Sequence, residues 1–257
     1  MSVSYFEMTM THDGRGASLT LDRAPLNVMT IEMMEQVNAA LLELRDNTRL
    51  KVLVLRGRGE AFCCGVDVNE HTEEKIPRLL QVFHRMFETI RLLDVVTVAA
   101  VHGPAIAGGF ELAIGCNLVV AAESATFQLP EVRQGVFPPV AAVVLPRAAP
   151  RRKAMEWILL GDRLRAQELY NFGLVNRVWP DARFETELTA FLDTLTSRSG
   201  PVMQLARRAQ TESYYSTFEE ALYKVENLYL RELITLDDPH EGIRAFLEKR
   251  QPQWRDG

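Results

Sequence analysis

The chain has 257 residues, of which 47% are hydrophobic and 25% are charged, as is typical of a globular protein with a sizeable core. Its formal net charge of -5 argues against a nucleic-acid-binding surface, because such surfaces are basic. No apolar run approaches the roughly 18 residues of a membrane span, and the N-terminal residues do not resemble a secretory signal. Cys63, Cys64 and Cys116 lack metal-ligand spacing and favour a reducing compartment, so we expect a cytoplasmic protein without a metal site.

The first half of the chain alternates strand-like and helix-like segments. Short apolar runs predict strands over residues 5–10, 18–22, 51–57, 96–101 and 118–122. Apolar side chains at helical spacing predict one helix that Thr30 caps and a second helix over residues 77–93. Strands that alternate with helices indicate an α/β layered fold.

After about residue 140 the sequence is mostly helical in pattern. Helices are predicted over residues 151–160, 166–170, 184–197, 202–213, 217–236 and 240–250. No strand is predicted beyond residue 198, so we divide the chain into a core over residues 1–197 and a C-terminal helical region over residues 198–257. We expect this region to pack on the core or on a neighbouring subunit.

Two glutamates near a glycine-rich turn suggest acid/base chemistry. The predicted strand 96–101 leads towards Gly108 and Gly109, Glu111 follows, and Glu131 lies 20 positions further on. Glycines let the backbone pass close to a ligand, and they can begin a helix whose free N–H groups face an oxyanion. Two carboxylates near such a site suit reversible addition of water to an activated double bond. Alternatively, one glutamate caps a helix or pairs with an arginine such as Arg133.

Several segments, in the right order and over essentially the whole chain, resemble the crotonase family, the enoyl-CoA hydratase/isomerase superfamily. They are residues 61–68 (AFCCGVDV), 107–113 (AGGFELA), 128–135 (QLPEVRQG), 173–178 (GLVNRV) and 241–250 (EGIRAFLEKR). The resemblance implies a crotonase-like ββα superhelical core with a C-terminal helical trimerisation region. It also implies an acyl-CoA thioester substrate and assembly as a homotrimer or a dimer of trimers.

The same resemblance implies roles for individual residues. Glu111 and Glu131 fall at the two catalytic carboxylate positions, and the backbone N–H groups of Val66 and Gly108 would form the oxyanion hole. Isomerases, decarboxylases and thioesterases of the family often keep one or neither carboxylate, so the pair favours a hydratase. The coenzyme A part of the substrate would contact a further set of residues: Arg23, Ala24, Leu26, Val28, Cys64, Val68 and, from a neighbouring subunit, Lys249. No separate cofactor is expected, because coenzyme A arrives with the substrate.

The segment 135–147 (GVFPPVAAVVLPR) departs from the common hydratase pattern, in which a glycine-rich turn follows the first proline. Pro139 stiffens the backbone and Val140 adds a rigid branched side chain. This segment and residues 25–34 resemble the alicyclic branch, the cyclohexa-1,5-diene-1-carbonyl-CoA hydratases. The resemblance implies addition of water to a cyclic dienoyl-CoA, in aromatic compound degradation, to give a hydroxycyclohexenoyl-CoA. The candidate walls of the pocket are Phe83, Phe87, Pro138 and Pro139.

Other interpretations of the sequence remain open. Within the same fold, the chain could be a straight-chain enoyl-CoA hydratase or an isomerase that shifts the double bond. In another class, it could be a non-catalytic crotonase-like protein that binds acyl-CoA. His71 and His84 are interpreted as surface histidines.

Overall fold

The computed structural model describes residues 3–214 and 216–256. Its strands are β1 Phe6–Thr11, β2 Gly16–Leu21, β3 Val52–Gly57, β4 Val96–Val101, β5 Ala105–Ile106, β6 Leu118–Ala122, β7 Thr126–Gln128, β8 Leu164–Arg165 and β9 Arg177–Trp179. Its helices are α1 Ile31–Glu43, α2 Ile76–Leu92, α3 Gly108–Ile114, α4 Pro139–Ala148, α5 Arg151–Leu160, α6 Ala166–Asn171, α7 Phe184–Thr196, α8 Gly200–Ser213, α9 Phe218–Arg231 and α10 Asp237–Leu247.

The larger sheet has six strands in the order β1-β2-β3-β4-β6-β9. The β1–β2 pair is antiparallel, and each later neighbour in that order is parallel. A smaller sheet has the order β5-β7-β8 and begins immediately after β4. The alternation of strands and helices confirms the predicted α/β class. The turn between β5 and α3, at Ala107, therefore lies shortly after the chain passes from the larger sheet to the smaller one.

The sequence explains why these elements form. Strand β4 is almost entirely apolar and buried, as expected of a parallel strand covered on both faces. Helix α2 is amphipathic, with one face turned to the core: Leu79, Val82, Phe83, Met86 and Ile90. The hydroxyl of Thr30 accepts a hydrogen bond from the N–H of Met33 at 3.2 Å, which confirms the predicted cap of α1.

Some predicted boundaries are wrong. The helix predicted over residues 217–236 ends at Arg231, and a short 3-10 turn follows it. The helix predicted over residues 240–250 begins earlier, at Asp237, where acidic residues and Pro239 suit a first helical turn. It ends at Leu247, and Lys249 takes a left-handed conformation (φ 54°), which an α-helix does not contain.

The C-terminal region is joined to the core by a buried charge. The side chain of Lys51 is 3% exposed, and its Nζ lies 2.7 Å from Oδ1 of Asp256. The same ammonium donates to the carbonyl of Arg198, and Asp256 also accepts a hydrogen bond from the N–H of Gly200. These contacts hold Arg198, Gly200 and Asp256 next to the start of β3. The domain boundary at residue 197 stays a prediction. Across the described part of the chain, no helix has the length and apolar character to cross a membrane.

Candidate active site

Two backbone segments meet at one wall of a cavity. Met29 donates to the carbonyl of Gly65 and accepts from the N–H of Asp67, both at 2.8 Å, which fixes the segment between them. The N–H of Val66 has no acceptor within the described residues. Gly108 begins α3, so its N–H has no acceptor in a preceding helical turn. These are two unused donors on adjoining segments, the arrangement that an oxyanion hole requires.

The two segments are too close for larger side chains. A Cβ atom at Gly109 would overlap the carbonyl oxygen of Cys63, and one at Gly108 would lie 3.1 Å from Cγ2 of Val66. Gly65 has φ 95°, and a Cβ there would come within 2.9 Å of the Cβ of Ala107. Glycine is therefore needed on both sides of the contact.

Ala107 carries backbone strain beside the proposed donors. It has φ 55° and ψ -128°, an uncommon conformation for a residue with a Cβ, costing on the order of 1–3 kcal/mol. Its N–H donates to the carbonyl of Gln128 at 2.8 Å, and its own carbonyl accepts from the N–H of Glu111 at 3.0 Å. The N–H and the carbonyl of Ala107 are thus both hydrogen-bonded, which fixes the backbone at the start of α3.

Glu111 lies in the first turn of α3 and is 2% exposed. Its Oε1 accepts a hydrogen bond from the N–H of Ala141, in the first turn of α4, at 2.8 Å. Burial raises the pKa of Glu111 to about 7, and the nearby charge of Glu131 adds to this rise. The N–H groups of Ala141 and Val140 oppose it, because they stabilise the ionised carboxylate.

Glu131 lies in the 3-10 turn Pro130–Gln134 and is 9% exposed. Its buried Oε2 has no hydrogen-bond partner within the described residues. Burial raises the pKa of Glu131 to about 7, opposed by its own backbone N–H. The alternative pairing with Arg133 does not occur, because that guanidinium binds Asp162 at 2.6 Å. Two carboxyls with pKa values of about 7 can act as an acid and a base near neutral pH.

The cavity brings most of the predicted site residues together. It has a volume of about 390 Å³ and a largely apolar wall from α2 and from the segment before α4. The sequence-predicted residues that line it are Cys64, Val66, Val68, Phe83, Gly108, Glu111, Glu131, Pro138 and Pro139. The two carboxyls and the two backbone donors therefore face a single space.

Phe87, a candidate wall of the pocket, does not line this cavity. It lies one turn beyond Phe83 on α2, and the two rings pack edge to face with centroids 5.0 Å apart. Its ring lies against Gly115, where an added Cβ would be 2.6 Å from the ring. Phe87 thus packs against both Phe83 and the C-terminal end of α3.

The remaining residues predicted to contact coenzyme A lie outside the cavity lining. Arg23 donates to the carbonyl of Val28 at 2.8 Å and pairs with Asp67 at 3.3 Å, and Leu26 accepts from the N–H of Cys64. The loop that also contains Ala24 therefore lies against the segment of Val66. Lys249 is exposed beyond α10 and outside the cavity of its own chain. The coenzyme A contacts stay predictions.

Sequence reasoning missed several features of the site. The N–H of Ala141 and the strained Ala107 gave no sequence signal, because both act through the backbone. His71, interpreted from the sequence as a surface histidine, is exposed but lines the cavity. No group of three or more His, Cys, Asp or Glu side chains among the described residues could hold a metal ion.

Comparison with known proteins gives the same family over nearly the whole chain. The family model described as enoyl-CoA hydratase/isomerase matches residues 15–257. The mitochondrial enoyl-CoA hydratase domain-containing protein 3 of Danio rerio is 32% identical, over 99% of this chain and 90% of its own. The probable enoyl-CoA hydratase echA8 of Mycobacterium tuberculosis is 32% identical, over 98% of this chain and 99% of its own.

Solved structures show the same fold. An enoyl-CoA hydratase from Bacillus anthracis has a TM-score of 0.93 at 26% identity, covering 99% of this chain and 100% of that one. Human enoyl Coenzyme A hydratase domain-containing protein 3 has a TM-score of 0.91 at 29% identity, covering 97% of this chain and 100% of that one. The predicted crotonase-like core with C-terminal helices is confirmed.

Glu111→Gln should change how stability depends on pH. The folded-state pKa of about 7 lies above the ordinary glutamate pKa of 4.5, so the folded protein holds a proton that the unfolded chain releases between these values. Wild-type stability should therefore fall as pH rises from 5 to 8. The variant lacks this loss, so its unfolding free energy relative to wild type should rise by roughly 2 kcal/mol over that range.

Urea denaturation at pH 5 and pH 8 measures this difference. Glu74→Gln, at an exposed position, is the matched control and should show no such change with pH. An equal difference between Glu111→Gln and wild type at both pH values would contradict the raised pKa.

Proposed function

This chain belongs to the enoyl-CoA hydratase/isomerase family and is an enzyme of the hydratase type, and we propose that it adds water reversibly to an α,β-unsaturated acyl-CoA by two-glutamate catalysis. The observation that carries the mechanism is the arrangement of Glu111 and Glu131 in one cavity with the backbone donors of Val66 and Gly108. Burial gives both carboxyls a pKa of about 7, which suits an acid and a base that work together.

In the proposed reaction, the oxygen of water bonds to the β-carbon while one proton of that water passes to ionised Glu111. The electron pair of the double bond moves towards the thioester oxygen and gives an enolate. The N–H groups of Val66 and Gly108 would stabilise that charge, and losing one such donor typically costs ~10²–10³ in rate. Protonated Glu131 then supplies a proton to the α-carbon, and the proton gained by Glu111 returns to Glu131 through solvent before the next turnover. Elimination uses the same two groups in reverse, and none of these steps uses a separate cofactor.

The pair of glutamates favours this proposal over the alternatives. An isomerase that shifts a double bond moves a proton between two carbons, and a second carboxyl is not required for that step. A non-catalytic acyl-CoA-binding protein would have no use for the buried, unpartnered Oε2 of Glu131, since such an atom costs stability. The net charge of -5 disfavours RNA as a partner.

Glu111→Gln and Glu131→Gln should each lower hydration kcat by about 10²–10⁴, because each removes one proton-transfer group. Both variants should still fold, since glutamine is nearly isosteric and can keep the hydrogen bond to Ala141. Steady-state hydration of crotonyl-CoA measures the loss, and titration with a saturated acyl-CoA checks that binding is retained. Full activity in either variant would rule out the two-carboxylate mechanism.

For the acyl group, we propose a cyclic conjugated dienoyl-CoA such as cyclohexa-1,5-diene-1-carbonyl-CoA. Pro138 and Pro139 both line the cavity, and Pro139 occupies the first position of α4, where proline fits without loss of a helical hydrogen bond. With Phe83 they provide a stiff apolar wall that would suit a flat ring better than a flexible chain. A straight-chain enoyl-CoA is the alternative substrate.

The ring substrate should have a kcat/KM at least tenfold above that of crotonyl-CoA, because about 1.4 kcal/mol of better fit corresponds to that ratio. Pro139→Gly should reduce the preference by loosening the wall. Parallel assays of both thioesters with the wild type and Pro139→Gly measure this kcat/KM ratio. A preference for crotonyl-CoA would retain the hydratase mechanism and exclude the ring assignment.

We also propose that the protein assembles as a homotrimer or a dimer of trimers. The C-terminal helices leave large apolar side chains exposed in the single chain: Phe218 at 75%, Leu230 at 67%, Phe246 at 82% and Leu247 at 74%. Such an assembly could also bring Lys249 to a neighbouring cavity. A cytoplasmic location stays a prediction.

Sedimentation velocity should show a species of at least three times the mass of one chain. Phe246→Asp should shift it towards the monomer, because a charge would be buried at the interface. Glu248→Asp, an exposed conservative change two positions away, is the control. A monomeric wild type at micromolar concentration would contradict the assembly.

A further inference from the structure

We propose that His71 forms a hydrogen-bonding subsite in the cavity wall and determines specificity by accepting a hydrogen bond from the bound thioester. The donor would be either a hydroxyl on the acyl group or an amide N–H of the pantetheine arm. The inference rests on the proposed function in one respect, that the ligand is a coenzyme A thioester.

The hydrogen bond of the imidazole ring fixes the chemistry that it offers. Nδ1 of His71 lies 3.2 Å from the carbonyl oxygen of Asp67. A carbonyl oxygen can only accept, so Nδ1 carries the hydrogen, and Nε2 of the neutral ring is then an acceptor. Nε2 has no protein partner among the described residues. The ring therefore has one acceptor available for a ligand.

The backbone around His71 is held in place. The residue ends the 3-10 turn Val68–Glu70, and its N–H donates to the carbonyl of Val68 at 3.1 Å. Glu70 accepts from the N–H of Ile31 at 2.6 Å, and Asp67 caps the turn through the N–H of Asn69 at 3.0 Å. A group on such a fixed turn can be selective, because little conformational freedom is lost when it binds.

The surrounding wall makes this acceptor distinctive. The neighbouring lining residues Val68, Ile76 and Leu80 are apolar. Apart from the two glutamates assigned to the chemistry, His71 and Gln134 are the strong hydrogen-bonding side chains in the described lining. When a bound ligand covers the exposed ring of His71, an analogue without a donor leaves Nε2 unpaired, which weakens binding. His71 should thus favour ligands with a donor at its position.

Saturated ligands separate this inference from the hydratase activity, because they bind without being hydrated. The probes are cyclohexanecarbonyl-CoA and its 3-hydroxy and 4-hydroxy derivatives, with dissociation constants measured by calorimetry on the wild type and His71→Leu. The variant should bind at least one probe about five- to tenfold more weakly, as expected for one lost hydrogen bond. His71→Gln, which keeps an acceptor, should recover part of that affinity.

The matched control is His84→Leu, at a histidine on α2 that does not line the cavity and packs near Phe83. A loss confined to a hydroxylated probe identifies the acyl hydroxyl as the donor, and an equal loss for all probes identifies the pantetheine amide. If His71→Leu changes no dissociation constant by more than twofold, or if the wild type binds no probe, the inference is overturned. Weaker binding by His71→Leu in a protein that hydrates neither crotonyl-CoA nor cyclohexa-1,5-diene-1-carbonyl-CoA would keep the subsite and reject the hydratase proposal.

Discussion

The close approach of α3 to the segment before Val66 is the constraint on which the rest of the site depends. Gly109 lies against the carbonyl of Cys63, and Gly65 lies against Ala107, at separations that no side chain could occupy. This contact places the unused N–H groups of Val66 and Gly108 on adjoining segments. Because Glu111 is only three residues into α3, the same contact determines where that carboxyl is buried. A wider spacing would displace the two N–H groups and the Glu111 carboxyl together.

The two carboxyls reach similar pKa values in different surroundings. The ionised form of Glu111 is stabilised by N–H groups at the start of α4, which offset part of the cost of burial. Glu131 has a buried oxygen without a protein partner among the described residues. Its own backbone N–H opposes the rise in its pKa that burial causes. A carboxylate that is already solvated by backbone donors suits proton acceptance from water. A carboxyl with an unpartnered oxygen suits the protonated state and delivery to carbon.

How much the sequence could predict depended on the length of each pattern. Strands β4 and β6 were predicted at their observed bounds, because short runs in which all residues, or all but Thr97, are apolar give a clear signal. Strands β5 and β8 have two residues each, too few to show any periodicity. In the site, Gly108 and Glu111 could be identified as candidates because glycine and glutamate are the residue types that the proposed chemistry needs. The donor from Ala141 and the cavity position of His71 depend on tertiary packing, which a sequence pattern does not contain.

The ion pair between Lys51 and Asp256 also bears on when the fold can be completed during synthesis. The two residues are 205 positions apart (256 minus 51), and the ammonium lies at the start of a central strand. While the chain emerges from the ribosome, Lys51 appears 205 residues before the carboxylate that pairs with it. Contacts of such sequence separation form late, because their loop-closure entropy is lost before they contribute stability. Until Asp256 has been added, the ammonium of Lys51 would lack this carboxylate, so the contact that joins the C-terminal residues to β3 is a late step of folding.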